Sequence, residues 1–365
     1  MSIDDLPSRL AELVVSYSLN VQKGEMIAMQ GSTEAIPLVR ELYRAIIRRG
    51  AFPEVVLQFP GQEYIHVNEA SGELLSRESS VERHIIENCQ ALILIQSEIN
   101  PYEISKLPPA RVSLRRMGKA GVFMTFMQRV DKPGFRFISL PWVTQGQAVV
   151  SRMSLEQLTL HLEKACFLDR PDPAGEWGRQ RAEQQKLADR LAKVKKLRIL
   201  GEGTDIELSV AGRTWLNCFG LADLPDGEVF TAPLEDSVNG TVKFSFPAKN
   251  AAGVQLTFRD GVVVSARAES GDRYLQETLR TPGANRLGEV GIGTNFNITE
   301  PIGQILFDEK IGGTVHLALG SAYPATGGQN QSALHWDMIV DLRGGGELLG
   351  DGETILKGGQ FVSGS

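Results

Sequence analysis

The sequence predicts an α/β protein in two parts, an open parallel-sheet N-terminal domain and a strand-rich, mainly antiparallel C-terminal domain. Three observations carry this reading. Over the first 165 residues, apolar runs of strand type alternate with stretches of helical periodicity, the pattern of βαβ units. From Leu197 onward the apolar period falls to two, the period of a half-buried strand. The length, 365 residues, exceeds the ~100–200 residues that one domain usually holds.

The elements follow in order. Met26–Met29 is a short apolar run, and Ser32 or Thr33 behind it can cap a helix. Ile36, Leu38, Val39, Leu42, Ala45 and Ile46 recur at helical spacing until Gly50 ends the stretch. Val55–Leu57 is the next strand, and strand–helix–strand at this spacing implies parallel pairing. A helix over Leu74–Asn88 leads to Ala91–Ile95, a continuous apolar run suited to a strand buried on both faces. Val122–Phe126 and Phe135–Leu140 read as further strands, and Ser154 with Gln157 forms a capping-box pattern. Residues 1–165 are therefore the α/β domain, 166–196 a linking segment with a helix, and 197–365 the β-rich domain.

Asp169-Arg-Pro-Asp-Pro173 breaks the chain. The charged helix behind it, Glu176–Lys196, reads as a solvated linker. Glu176, Glu183 and Asp189 interrupt its basic residues, which argues against a nucleic-acid-binding stripe. Beyond it, Ile206–Val210 and Val242–Phe246 alternate apolar and polar residues. Asp260-Gly261 between Val254–Phe258 and Val262–Ala266 predicts a hairpin.

Composition excludes several classes. A formal charge of −6 gives no reason to expect nucleic acid or an anionic membrane as partner. No stretch approaches the ~20 apolar residues of a membrane span. The opening Met-Ser-Ile-Asp-Asp-Leu-Pro lacks the basic and apolar regions of a signal peptide. Cys89, Cys166 and Cys218 are far apart and form no CxxC pair. That pattern predicts a reducing cytoplasm, with neither a disulfide framework nor a thiolate metal site. Gly31-Ser32-Thr33 has neither GxGxxG nor GK[ST], so it reads as an ordinary capped βα turn. His66, His84 and His161 have no partner pattern.

The chemistry lies in the second half. In Leu334-His-Trp-Asp-Met-Ile-Val340, positions i and i+2 of a strand put His335 and Asp337 on one face, a nitrogen and an oxygen donor suited to a divalent cation. Thr314-Val-His316-Leu-Ala-Leu319 is a second strand, and the short polar loop to Leu334 brings His316 near His335. Tyr323 stands just beyond that strand. Two glutamates stand out by context: Glu228 in PDGEVFTAP and Glu289 in RLGEVGIG, where buried carboxylates require pairing or coordination.

PDGEVFTAP, RLGEVGIGTN, DEKIGGTVHLALGSAYP and SALHWDMI, in this order, resemble the thermophilic metalloaminopeptidases of family M29, the aminopeptidase T and aminopeptidase S group. The resemblance runs along essentially the whole chain and is sharpest from Thr204 to Leu342. It implies an N-terminal α/β domain, a C-terminal catalytic domain with a two-metal site, a peptide substrate and a homodimer. Position by position it makes Glu228, Glu289, His316, His335 and Asp337 metal ligands, with Glu289 bridging. Tyr323 matches a site tyrosine that binds metal or faces substrate, and Glu235 lies in a matching stretch without a role. The donors, nitrogen and oxygen without thiolate, suit two zinc, cobalt or manganese ions, which activate water for attack on the first peptide bond.

Two rival readings differ in class. His316, His335 and Asp337 could form the facial triad of a mononuclear non-haem Fe(II) ring-cleaving dioxygenase of the dihydroxypyridine type, a group that also resembles this family. Such a site needs neither Glu228 nor Glu289. The other rival is a catalytically silent binding module on the same fold.

Overall fold

A computed structural model describes residues 5–97, 100, 103–130 and 132–362. The chain divides into two compact units, Met1–Ala174 with Gly220–Leu224, and Gly175–Phe219 with Pro225–Ser365.

In the first unit, strands β1 (Met26–Ser32), β2 (Phe52–Gln58), β3 (Ala91–Gln96) and β4 (Arg136–Pro141) form one parallel sheet in the order β2-β1-β3-β4. Ile27, Ala28 and Met29 of β1 and Ala91, Leu92 and Ile93 of β3 are buried, as the central position of these strands requires. At the edge, β2 leaves Phe52 and Val55 exposed. The Ser32 hydroxyl accepts from Glu34 N–H and starts the turn into helix Ile36–Arg48. That helix buries Leu38, Val39, Leu42, Ala45 and Ile46. Gly50 follows at φ +72°, the left-handed conformation that ends helices.

Three segments differ from the sequence reading. Val122–Phe126 is not a strand but lies inside helix Pro109–Val130. Val122 is buried, and Phe126 packs edge-on against Phe135 and Phe137, with ring centroids 6.0 and 5.1 Å away. Five consecutive apolar-rich residues fit either period, and here the i, i+4 pair faces the sheet. The expected Leu74–Asn88 helix is two helices, Gly72–Ser76 and Ser80–Asn88, because Ser79 caps the second by accepting from Glu82 N–H. The charged helix Pro173–Leu191 is no solvated linker: Trp177, Gln184, Ala188 and Leu191 are buried along it.

The second unit holds two antiparallel sheets. One has eight strands, from Val262–Arg267 at one edge to Gln360–Phe361 at the other. Its Asp260-Gly261 hairpin has both residues at positive φ, 49° and 77°, as a two-residue type I′ turn needs. The other sheet has five strands in the order His335–Asp341, Thr314–Gly320, Leu287–Gly293, Glu228–Thr231, Leu216–Cys218. Ile206, Leu208, Leu256 and Phe258 of the first sheet share a core with Val290, Ile292, Leu317, Met338 and Val340 of the second. These five residues define the inner face of the five-stranded sheet. By the two-residue alternation, the other face carries Glu289, His316, His335 and Asp337. Among the described residues no helix is long and apolar enough to cross a membrane.

Candidate metal centre

Register brings the donors together. Asp337 pairs with Ala318, and Ala318 pairs with Glu289 on its other side. His316 pairs with Gly291, and Glu228 with Gly293. Directly paired residues share a face, and so do residues two apart in one strand. Four neighbouring strands therefore send Glu228, Glu289, His316, His335 and Asp337 to one face, above a floor of Gly291, Gly293 and Ala318. The floor must be small. A Cβ on Gly291 would lie 2.0 Å from His316 Nε2, so the glycine opposite the imidazole is what leaves room for the ring.

The donors form two overlapping groups. Glu228, Glu289 and His316 make one, Glu289, His335 and Asp337 the other, and within each group the donor atoms lie within 4.8 Å of one another. Glu289 belongs to both, with one oxygen toward each histidine. Its Oε1 is 3.0 Å from His316 Nε2 and its Oε2 is 3.7 Å from His335 Nε2. Glu228 Oε2 stands 3.1 Å from His316 Nε2, and Asp337 Oδ1 3.3 Å from His335 Nε2. His335 Nδ1 lies 2.9 Å from the Ser321 carbonyl, which can only accept. The proton is thus on Nδ1, and Nε2 faces the carboxylates, the arrangement that orients metal-binding histidines.

Electrostatics report an excess of negative charge. Burial by itself lowers the His316 pKa, yet Glu228 and Glu289 outweigh it and hold the imidazole well above its ordinary value. Burial is likewise outweighed at His335, which Asp337 and Glu289 push up to about 10. Against burial, Lys310 and His316 draw Glu228 down to about 2, and His335 draws Asp337 down to about 2. Glu289 moves the other way, raised by burial with Asp337 and Glu228 adding. Glu228 Oε2 and Asp337 Oδ1 are buried without a hydrogen-bond partner. Orphaned carboxylate oxygens beside imidazole nitrogens, five donors of hard and borderline type, fit divalent cations of the zinc, cobalt or manganese kind.

Tyr323 stands beside His335 of the second group. It is half exposed, and its ring packs edge-on against His335 and Phe230, with centroids 5.3 and 5.4 Å away. Glu235 is engaged elsewhere: it accepts from Arg213 through both oxygens and from Gln329 N–H, tying down the loop that precedes His335. Its place is structural.

Four contributors escaped the sequence reading. Gly291 is one, although a glycine two residues after a strand carboxylate is a signal of close approach. The others are Lys310, Glu309 and Asp226. Lys310 is buried, with Nζ 2.6 Å from Glu228 Oε1, 2.7 Å from Glu309 Oε1 and 3.9 Å from Asp226 Oδ1. Burial, with Asp337 and Glu228 adding, pushes Glu309 up to about 8 although Lys310 draws it down. No cysteine was expected near metal donors, yet Cys218 lies with Asp226 and Glu228 in a third group of the same kind.

Comparisons with known proteins bear on the family and the fold. The family model for thermophilic metalloproteases (M29) matches residues 4–361. Aminopeptidase 2 of Geobacillus stearothermophilus is 28% identical, over 95% of this chain and 93% of that protein. Aminopeptidase T of Thermus thermophilus is 27% identical over 91% of each. Among solved structures, wild-type AmpT from Thermus thermophilus superposes with a TM-score of 0.87 at 25% identity, covering 99% of this chain and all of that one. A 2,5-dihydroxypyridine dioxygenase from Pseudomonas putida KT2440 superposes with a TM-score of 0.61 at 12% identity, covering 100% of this chain and 99% of that one. That second likeness is one of fold.

Proposed function

The chain belongs to the thermophilic metalloprotease family M29 and is a metalloaminopeptidase, and from this premise we propose that it releases N-terminal residues from peptides with two divalent cations held by Glu228, Glu289, His316, His335 and Asp337. One observation carries the two-metal reading: Glu289 is common to both donor groups and turns one oxygen to each histidine. Zinc, cobalt or manganese bound there supplies Lewis acidity toward a peptide carbonyl and a water of lowered pKa.

The remaining work falls to the chain. Glu289 spans the two groups and fixes their separation. Ser321 holds His335 in the tautomer that presents Nε2. Tyr323, edge-on to His335 at the exposed side, either serves as a further ligand or donates a phenol hydrogen bond to the substrate carbonyl oxygen. Glu309, paired with Lys310 and outside the two main donor groups, is the carboxyl group to which we assign proton transfer to the departing amine. A free α-amine would be held by one of the cations or by a nearby carboxylate, which accounts for exopeptidase action. The homodimer implied by the resemblance belongs to this proposal and is read by sedimentation velocity.

A mononuclear iron site would draw on His316, His335 and Asp337 together. In the structure His316 falls in one group and Asp337 in the other, which favours two ions over one. Elemental analysis after reconstitution decides between them. Two equivalents of zinc, cobalt or manganese per chain, with release of p-nitroaniline from aminoacyl anilides, is the expected outcome. One equivalent of iron and no anilide cleavage overturns it. In Glu289→Gln, the bridging role predicts loss of one equivalent or more and of activity, and full metal content with full activity refutes that role.

A further inference from the structure

We propose that Lys310 is a positioning residue whose ammonium caps one oxygen of Glu228, so that only the other oxygen is offered to the cation shared with His316 and Glu289. The inference rests on the two-metal reading and adds to it the device that sets how Glu228 binds. Lys310 is 1% exposed, and a lysine so deeply buried must be paired. Its Nζ is 2.6 Å from Glu228 Oε1 and 2.7 Å from Glu309 Oε1, with Asp226 Oδ1 at 3.9 Å.

The two oxygens of Glu228 are therefore not equivalent. Oε1 accepts from the ammonium. Oε2 is buried, has no hydrogen-bond partner and stands 3.1 Å from His316 Nε2. A carboxylate with both oxygens free can chelate one ion or bridge two, whereas one with an oxygen held by Lys310 offers a single donor. The backbone keeps the lysine in place. Lys310 N–H donates to Phe307 C=O, and Lys310 C=O accepts from Asn295 N–H. Glu228 is anchored from the other side, where Gln184 Nε2 donates to its carbonyl. Neither side is free to swing away.

Lys310 also answers a question posed by Cys218. The third donor group, Cys218, Asp226 and Glu228, shares Glu228 with the main centre and could draw an additional cation. An internal ammonium already serves the carboxylates of that group, which keeps Glu228 oriented toward His316.

The test titrates wild type and Lys310→Met with Co(II) against a chromophoric chelator. Circular dichroism and the Tm establish that each is folded, and the cobalt d–d spectrum is recorded at each equivalent. The wild type is expected to take up two equivalents. In Lys310→Met one equivalent should bind about 10–100-fold more weakly, the usual effect of losing a partner that orients a ligand. The other should be unchanged, and the cobalt bands of the weakened site should shift as Glu228 loses the ammonium that fixes which oxygen it offers. A folded Lys310→Met that binds both equivalents like wild type, with the same spectrum, overturns the proposal. Parallel weakening of both equivalents also overturns it, because that is the mark of a structural role alone. If Lys310→Met does not fold, Lys310→Gln, which keeps a donor for Oε1, is expected to take up both equivalents with the wild-type spectrum, and a folded Lys310→Gln with one equivalent weakened about tenfold or more overturns the capping role. A wild type that takes up no cation overturns the two-metal reading together with this inference. Two wild-type equivalents with an unaffected variant overturn this inference alone.

Discussion

At the scale of single residues, the centre depends as much on an absent side chain as on those present. Gly291 faces His316 across the strand pair, and a Cβ there would meet His316 Nε2 at 2.0 Å. His316 is fully buried and has nowhere to retreat. Gly291→Ala should therefore displace the imidazole, cut the bound metal to one equivalent or less, and lower stability by about 1–3 kcal/mol through overpacking. Metal analysis and a denaturant titration check this, and full metal content in a folded Gly291→Ala would refute it. His335 and Asp337 were legible because a strand's period of two is written in adjacent residues, and Glu289 because a carboxylate amid glycine and apolar residues has few bland explanations. Lys310 was not. Its partner Glu228 lies 82 residues away, and nothing local marks a lysine whose role is set by a distant strand. Glu235 shows the converse, a carboxylate in a matching stretch whose work is to hold Arg213 and the loop before His335.

At the scale of elements, the capping box on helix Leu155–Ala165 was readable because both of its bonds join residues three apart. Ser154 Oγ accepts from Gln157 N–H, and Gln157 Oε1 accepts from Ser154 N–H. Ser154→Ala should cost about 1 kcal/mol with unchanged activity, and a loss below about 0.3 kcal/mol in a urea titration would count against the cap. The Val122–Phe126 helix was not readable, since only packing against Phe135 and Phe137 selects its period. Asp308 offers a pH test of the turn that carries Lys310. Its carboxyl is buried and accepts from Ile302 and Gly303 N–H, and burial outweighs these bonds to push it up to about 6 from 3.8. A carboxyl raised in the fold favours the folded state while protonated. Its contribution is full below about pH 3.8 and is lost as pH rises through about 6. Relative to Asp308→Asn, the wild type should thus lose about 2 kcal/mol between pH 4 and 7. Denaturant titrations across that range test this, and parallel curves for the two proteins would refute the shift.

At the scale of the whole molecule, the two units differ in what a cation can do to them. Every donor of the centre, from Glu228 to Asp337, lies in the unit formed by Gly175–Phe219 and Pro225–Ser365. The parallel sheet of the other unit contributes none of them. A ligand that binds only the native state stabilises what must stay folded to bind it, by about 2.7 kcal/mol at a hundredfold excess over Kd. Local opening in the donor strands breaks the centre, whereas local opening in β1 or β3 leaves it intact. Adding zinc to the metal-free protein should therefore slow amide hydrogen exchange in Leu287–Gly293, Thr314–Gly320 and His335–Asp341 by about tenfold or more. Exchange in Met26–Ser32 and Ala91–Gln96 should change little below the global unfolding limit. Mass spectrometry of peptic fragments reads both regions in one experiment. Equal slowing in the two would mean that the donor strands open only with the whole chain, and the stabilisation would then be global rather than confined to the sheet that carries the centre.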